Sequence, residues 1–222
     1  MKLPPVDPAP RGIRRIVIVG AGGQALVAAD IAECATGAGS PDRVIAMVDD
    51  QQALHGAMIG RYPVLGPISV LTDIPHDAVV VAVGDNALRR GIADALRSNN
   101  ESEATLQHPD ASIAASATVG YGTMISAGVV VVANASIGRG VILNTRSSVD
   151  HDSVVDDFVH IGPGATVGGR CWIGANTVVS IGATVCSGVR IGRDCVVGAG
   201  AVVLHDLPDG VRAWGVPARI IG

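Results

Sequence analysis

From Ile113 onward every sixth residue is aliphatic. Positions 113, 119, 125, 131, 137, 143, 149, 155, 161, 167, 173, 179, 185, 191, 197 and 203 are all Ile, Val or Leu, sixteen in succession without a slip. An amphipathic helix repeats about every 3.6 residues and a half-buried strand every two, so a period of six fits neither. It fits a parallel β-helix, in which very short strands alternate with tight corners and each sixth side chain points inward. One coil cannot bury its inner face alone, so stacking on neighbouring coils must do it. The next position is glycine in seven of the sixteen hexads (Gly120, Gly138, Gly162, Gly168, Gly174, Gly192 and Gly198) and Asn144, Asp150 or Asp156 in three more. These residue types tolerate positive φ, so this position is expected to ease the turn. Composition agrees: 48% of residues are hydrophobic but only 2% aromatic, which suits a narrow interior filled by small branched side chains.

Before the repeat the pattern is different. "RRIVIVG", "RVIAMVDD" and "AVVVAVG" read as short buried strands, and "GQALVAADIAECA" and "NALRRGIADALRS" as helices, the second with Asn86 as a plausible cap. Strand–helix–strand order implies a parallel sheet with right-handed crossovers. The chain is therefore expected to divide into a tail (1–13), a small Rossmann-like α/β domain (14–106) and a β-helix domain with a C-terminal tail (107–222). "GAGGQA", Gly20 to Ala25, follows a strand and opens a helix, where backbone amides can hold a phosphate. Asp49 and Asp50 end the next strand, where a ribose-binding carboxylate would sit. Taken alone this suggests a dinucleotide-binding dehydrogenase. The unit is short for that, with three to four strands, and a repeat domain follows it.

Several classes are disfavoured. A net charge of −4 without a basic cluster argues against a general grip on nucleic acid. The cysteines, Cys34, Cys171, Cys186 and Cys195, form no CxxC pair, so a zinc site has little support. No apolar run approaches the roughly 18 residues that span a bilayer, and "MKLPPVDPAPRG" has no secretory pattern, so a cytoplasmic protein with free thiols is expected.

The stretch "NTRSSVDHDSVVDDFVHIG" interrupts the aliphatic run with four aspartates and two histidines. In register, Val149 points inward, so Asp150, His151 and Asp152 fall on the following corner and face outward. His160 also avoids the inward positions. A solvated polar corner would account for one histidine. An imidazole flanked by carboxylates also makes a general base, because a carboxylate stabilises the imidazolium formed on proton uptake. A hexapeptide-repeat carbonic anhydrase would need three metal-binding histidines, and the coils offer two. His55, His76, His108 and His205 read as surface or loop residues. Cys171 and Cys195 read as small inward residues.

"VILNTRSSVDHDSVVDDFVHIGPGATVGG", together with "IVIVGAGGQALVAADIAE", "MVDD", "VAVGDNALRRGIAD" and "GVPARIIG", resembles one subfamily of the hexapeptide-repeat acyltransferases. It comprises the sialic-acid O-acetyltransferase relatives and the N-acetyltransferases of nucleotide-linked 4-amino-4,6-dideoxy sugars, of bacillosamine and perosamine type. The resemblance implies a left-handed β-helix, here of about five coils, in a homotrimer with acetyl-CoA held between neighbouring prisms and no metal. It implies His151 as base, assisted by Asp152 (or Asp150). It also implies acetyl-CoA contacts at Asn144, His160, Gly169, Ile181 and Ala199, with Arg219 near the 3′-phosphate. Acceptor contacts are implied at Gly22, Gly23, Gln24, Asp49, Asp50 and Gly84. Gln24 stands where the family often has histidine; it can donate a hydrogen bond but cannot carry charge. The implied activity is N-acetylation of a nucleotide-linked amino sugar in polysaccharide biosynthesis. The alternatives are a sialic-acid-type O-acetyltransferase and a non-catalytic nucleotide-sugar-binding or scaffold protein.

Overall fold

The structure, a computed structural model, describes residues 12–221, so most of the expected tail lies outside the described residues. The first unit is a three-stranded parallel sheet ordered β2-β1-β5. Its strands are β1 (Arg14–Val19), β2 (Asp42–Val48) and β5 (Ala78–Val81), with a short antiparallel hairpin of β3 (Met58–Ile59) and β4 (Tyr62–Pro63) between the last two. Ile16 to Val19 are fully buried, which a central strand covered on both faces requires. Helix α1 (Gly23–Gly37) follows β1 and buries Ala25, Ala28, Ala29 and Ala32, small side chains that let it lie close to its neighbours. Helix α2 (Asn86–Ser98) is capped by Asp85, which accepts from the Leu88 N–H at 2.8 Å. The expected cap, Asn86, is instead the first helical residue, and its buried amide donates to the Asn176 and Thr177 carbonyls.

The hexads form a left-handed β-helix with parallel rungs 18 residues apart, as in Val130↔Ser148 and Ser148↔Thr166. One face carries six strands, the second five, and the third eight. The third face includes β6 (Leu106–Gln107) at one end and the pair Arg212–Trp214 and Arg219–Ile221 at the other. The solenoid therefore has about six turns, one more than the hexad count implied, because the Leu106 and Ala213 rungs lie outside the strict repeat. The second residue of each two-residue strand points inward, and Val149, Ile161, Val167 and Ile173 are fully buried.

The glycine after each inward residue has a different role from the one expected. None of the seven has positive φ. The left-handed residues sit two positions further on, at Asn134, Gly140, Arg146, Asp152, Phe158 and Gly164, for example. At Gly120 a Cβ would lie 2.6 Å from the Arg139 backbone nitrogen, and at Gly162 2.7 Å from that of Ile181. These glycines are present because the next coil's backbone passes where a side chain would be. Hydroxyls near the corners bind successive coils together. Buried Ser153 donates to the Gly168 carbonyl at 2.8 Å and accepts from the Cys171 N–H at 3.0 Å; buried Thr177 does the same with Gly192 and Cys195. Each such bond satisfies a backbone group that would otherwise be buried unpaired.

The two units pack on one side of the prism. Met124 and Ile142, outward on the third face, are buried with Ala25 and Ala28 of α1. Phe158, at the corner before that face, is buried with Val79, Ala93 and Leu96. No helix among the described residues is long and apolar enough to cross a membrane.

Candidate active site

His151 lies on the corner between the first and second faces, after the Ser148–Val149 strand and before Val154–Val155. Its Nδ1 is 2.8 Å from Asp152 Oδ2, and both side chains are nearly half exposed. Asp152 has φ +57°, the left-handed corner conformation, which turns its carboxylate back beside the ring. Asn134, one coil below, donates to its other oxygen at 3.0 Å. The hydrogen bond from His151, then that from Asn134, hold the Asp152 carboxyl below the usual carboxylate range. Asp150 instead accepts the backbone N–H of His151 at 2.7 Å. The ring contact therefore belongs to Asp152, and Asp150 shapes the corner. An ion pair this exposed adds little to stability; what it does is orient the imidazole, with Nδ1 donating to the carboxylate and Nε2 left as the basic atom.

Gly169 is one coil further along and packs against the ring. A Cβ there would lie 2.6 Å from His151 Nε2 and 2.8 Å from Cε1. Gly169 has no positive φ, so alanine would strain the ring rather than the backbone. Gly169→Ala is expected to lower kcat by ~10–100-fold, since small misplacements of reacting groups carry costs of that order. Thermal unfolding should be almost unchanged. Wild-type kcat in the variant would show that the position of the ring is immaterial.

His160 and Asn144 occupy the third face and the corner after it. Asn144 Oδ1 accepts from the Thr145 N–H at 2.8 Å, which directs its NH₂ group at His160 Nε2, 3.3 Å away. That nitrogen is therefore an acceptor, and the ring is neutral. Burial pushes the His160 pKa down to about 4, the nearby Arg89 charge adds to this, and a Gly84 backbone contact opposes it. In the triangular cross-section the His151 corner lies opposite the third face, so one chain does not bring His151 and His160 to the same point.

The expected acceptor residues converge. Gly22, Gly23, Gln24, Asp49, Asp50 and Gly84 all line one cleft of ≈ 450 Å³ at the carboxyl ends of β1, β2 and β5, where ligands of open α/β sheets bind. Leu88, Ile92 and Ile68 form its apolar wall. Asp49 accepts from the Ala21 and Gln51 N–H groups, both at 2.8 Å, so both its oxygens are engaged. Asp50 accepts from Ile68 through one oxygen. Gln24 reaches Met124 Sδ of the solenoid at 3.9 Å. Ile181 and Ala199 are exposed on successive coils of the corner that carries Asn144, and Arg219 is exposed on the last strand.

Sequence reasoning did not single out Asn134 or Arg89. Asn134 was accessible by register, since it precedes Asp152 by one coil. Arg89 is 1% exposed at the junction of the two units; the signal was a charged residue on the buried stripe of α2. Two other readings are corrected. His76 is not a surface residue: its side chain is nearly buried and sits 2.9 Å from Glu101. His108 is buried as well. With Asp30 and Cys34 it makes a trio close enough to hold an ion. However, its Nδ1 accepts the Asp110 N–H at 3.0 Å, so Nε2 carries the proton and neither nitrogen is free as a ligand.

Residues 15–96 match the PglD N-terminal domain family, and residues 170–205 match the bacterial transferase hexapeptide (six repeats) family. UDP-N-acetylbacillosamine N-acetyltransferase of Bacillus subtilis is 36% identical over 120 residues, 52% of either chain, so the match spans about half the length of that relative. PerB from Caulobacter crescentus, solved with CoA and GDP-perosamine, superposes with a TM-score of 0.87 at 36% identity, covering 93% of this chain and 97% of that one. The acetyltransferase domain of PglB from Neisseria gonorrhoeae, solved with acetyl coenzyme A, gives 0.86 at 34%, covering 95% and 100%. The agreement extends over both units and the whole β-helix, and on it the chain belongs to the hexapeptide-repeat acyltransferases, in the subfamily of bacillosamine- and perosamine-type N-acetyltransferases.

Proposed function

We propose that the protein is an acetyl-CoA-dependent N-acetyltransferase whose acceptor is a nucleotide-linked 4-amino-4,6-dideoxy sugar. The observation that carries this reading is the His151–Asp152 pair, oriented on an outward corner directly over Gly169. In the proposed reaction the sugar amine attacks the thioester carbonyl carbon. His151 Nε2 takes the amine proton, and Asp152 stabilises the imidazolium. The Gly169 N–H faces the negative charge that develops on the carbonyl oxygen. The C–S bond then breaks, the thiolate of CoA leaves and is protonated, and the amide remains on the sugar.

The α/β unit would hold the acceptor. The Gly20–Gly23 turn at the start of α1 suits a diphosphate, and the row of half-buried Asn144 with exposed Ile181 and Ala199 suits the acetyl-CoA arm. Because His151 and His160 lie on opposite sides of one prism, a complete site takes the base from one chain and the cleft with His160 from its neighbour. A homotrimer is the closed assembly that supplies this arrangement three times. Val130, Val154 and Ile181 are exposed on the single chain, and such apolar surface is a usual site of association. A cytoplasmic location follows from the two cosubstrates and the free thiols.

The test is a mass-spectrometric screen of UDP-, GDP- and dTDP-linked amino sugars with acetyl-CoA. One sugar nucleotide should gain one acetyl group, and that group should survive mild alkali as an amide does. An alkali-labile acetyl group would mean O-transfer. Saturable binding of sugar nucleotides with no turnover would mean a binding protein, and tight NADH binding in the cleft would point back to the dinucleotide reading.

A further inference from the structure

We propose that Arg89 is a positioning residue that fixes the orientation and the hydrogen-bonding role of His160 beside the Gly84 loop. The inference rests on the reading of His160 as a contact of the acyl donor. Arg89 is 1% exposed, and its guanidinium bridges three segments. It donates to the Val83 and Gly84 carbonyls of the cleft loop at 2.9 and 3.3 Å. It also donates to the Gly140 and Phe158 carbonyls on two successive coils, both at 2.9 Å, and to Asn86 Oδ1 at 2.8 Å. All five acceptors are neutral. A buried guanidinium normally lies against a carboxylate; here every direct partner is a carbonyl oxygen, and the Asp85 carboxylate acts on it without a hydrogen bond, so its charge is only partly compensated.

His160 is the neighbour with most to lose. The Phe158 carbonyl that Arg89 holds is two residues before it, and the Gly84 backbone that Arg89 holds contacts its ring. From α2 it faces Arg89. The flanking strands present Ile142 and Val178, which do not titrate. From the corner it faces Asn144, whose NH₂ group requires an unprotonated Nε2. Asp85 acts on Arg89. An added proton on His160 would therefore meet one buried cation and one amide donor. In this way Arg89 joins the acceptor loop to the coil that carries His160 and keeps that ring neutral across the range in which the base His151 must work.

The experiment uses the full-length protein with ¹⁵N-labelled histidine, and reads the His160 ring by NMR from pH 4 to 8 alongside kcat. Two variants delete the charge with different side chains: Arg89→Met removes every donor, and Arg89→Gln keeps a neutral amide donor. Each is expected to raise the His160 midpoint by about one pH unit or more, the scale of a close charge effect. Each should also cut kcat about twofold near pH 5, because a midpoint raised from about 4 to about 5 leaves half of the rings protonated there, with recovery towards neutral pH. Arg89→Lys keeps the charge and should leave the midpoint where it is in the wild type. An unmoved His160 midpoint in either folded charge-removing variant overturns the proposal, and so does a raised midpoint in Arg89→Lys, which would assign the effect to packing. If one charge-removing variant does not fold, the other decides. The NMR readout needs no turnover, so it stands apart from failure of the transferase reading itself.

Discussion

Replacing His151 with alanine is expected to lower kcat by ~10²–10⁴-fold, the usual contribution of a general base, with little change in the melting temperature. The separation of the two effects follows from the corner. The His151 and Asp152 side chains are nearly half exposed, and the Val149 and Val155 rungs on either side are buried without them. The variant loses the proton acceptor and almost no packing. Asp152→Asn keeps the size of the side chain and a contact to Nδ1 but removes the charge that stabilises the imidazolium. It should therefore lose less than His151→Ala, and Asp150→Asn less again, since that carboxylate meets only a backbone N–H. Steady-state kinetics on variants with wild-type unfolding curves provide the check. Near-wild-type turnover in His151→Ala would remove His151 from the mechanism, and a larger loss in Asp150→Asn than in Asp152→Asn would reverse the roles of the two carboxylates.

The solenoid was legible because its constraint is local and repeated. Each coil offers the same inward slots, so Ile113 to Val203 record the fold directly in the chain. The same register placed His151 outward and, counted back by one coil, leads to Asn134. Beyond that one-coil step, features set by contact between coils or between units could not be read. The glycines after the inward residues were assigned to turning the chain, but Gly120 and Gly162 make room for the backbone of the next coil, and a lone hexad does not contain that neighbour. Arg89 showed only as a charged residue on the buried stripe of α2. In the helix it is one polar residue among several, and only the carbonyls of Gly140 and Phe158, far along the chain, give it a buried partner set. His76 and His108 were misread because each is buried by segments distant in sequence. The Gly20–Ala25 turn was legible as a turn, whereas only the solenoid that follows it argues for a sugar-nucleotide acceptor rather than a dehydrogenase cofactor.

Two inactive chains are expected to make an active enzyme when they assemble together. One carries His151→Ala and retains its cleft. The other carries Gly22→Trp, which places a large ring in the cleft at a position where an added Cβ meets nothing within 4 Å, so the backbone need not shift. The second chain retains its base. If every site takes its base from one chain and its cleft from the neighbour, an intact base meets an intact cleft once around a mixed ring. In every closed trimer that contains both chains, one site of the three should then be wild type, against almost none in either parent. The expectation follows from the cross-section: His151 faces out from one edge of the prism, and His160 and the cleft lie on the opposite side, so no side-chain motion within a single chain brings them together. Co-expression with two different tags, tandem purification and light scattering, with a mass of three times the 22.4 kDa chain, define the mixed species before its activity is measured. Mixed trimers no more active than their parents would mean that each chain holds a complete site. A fully active species of one chain mass would overturn the trimer together with the shared site.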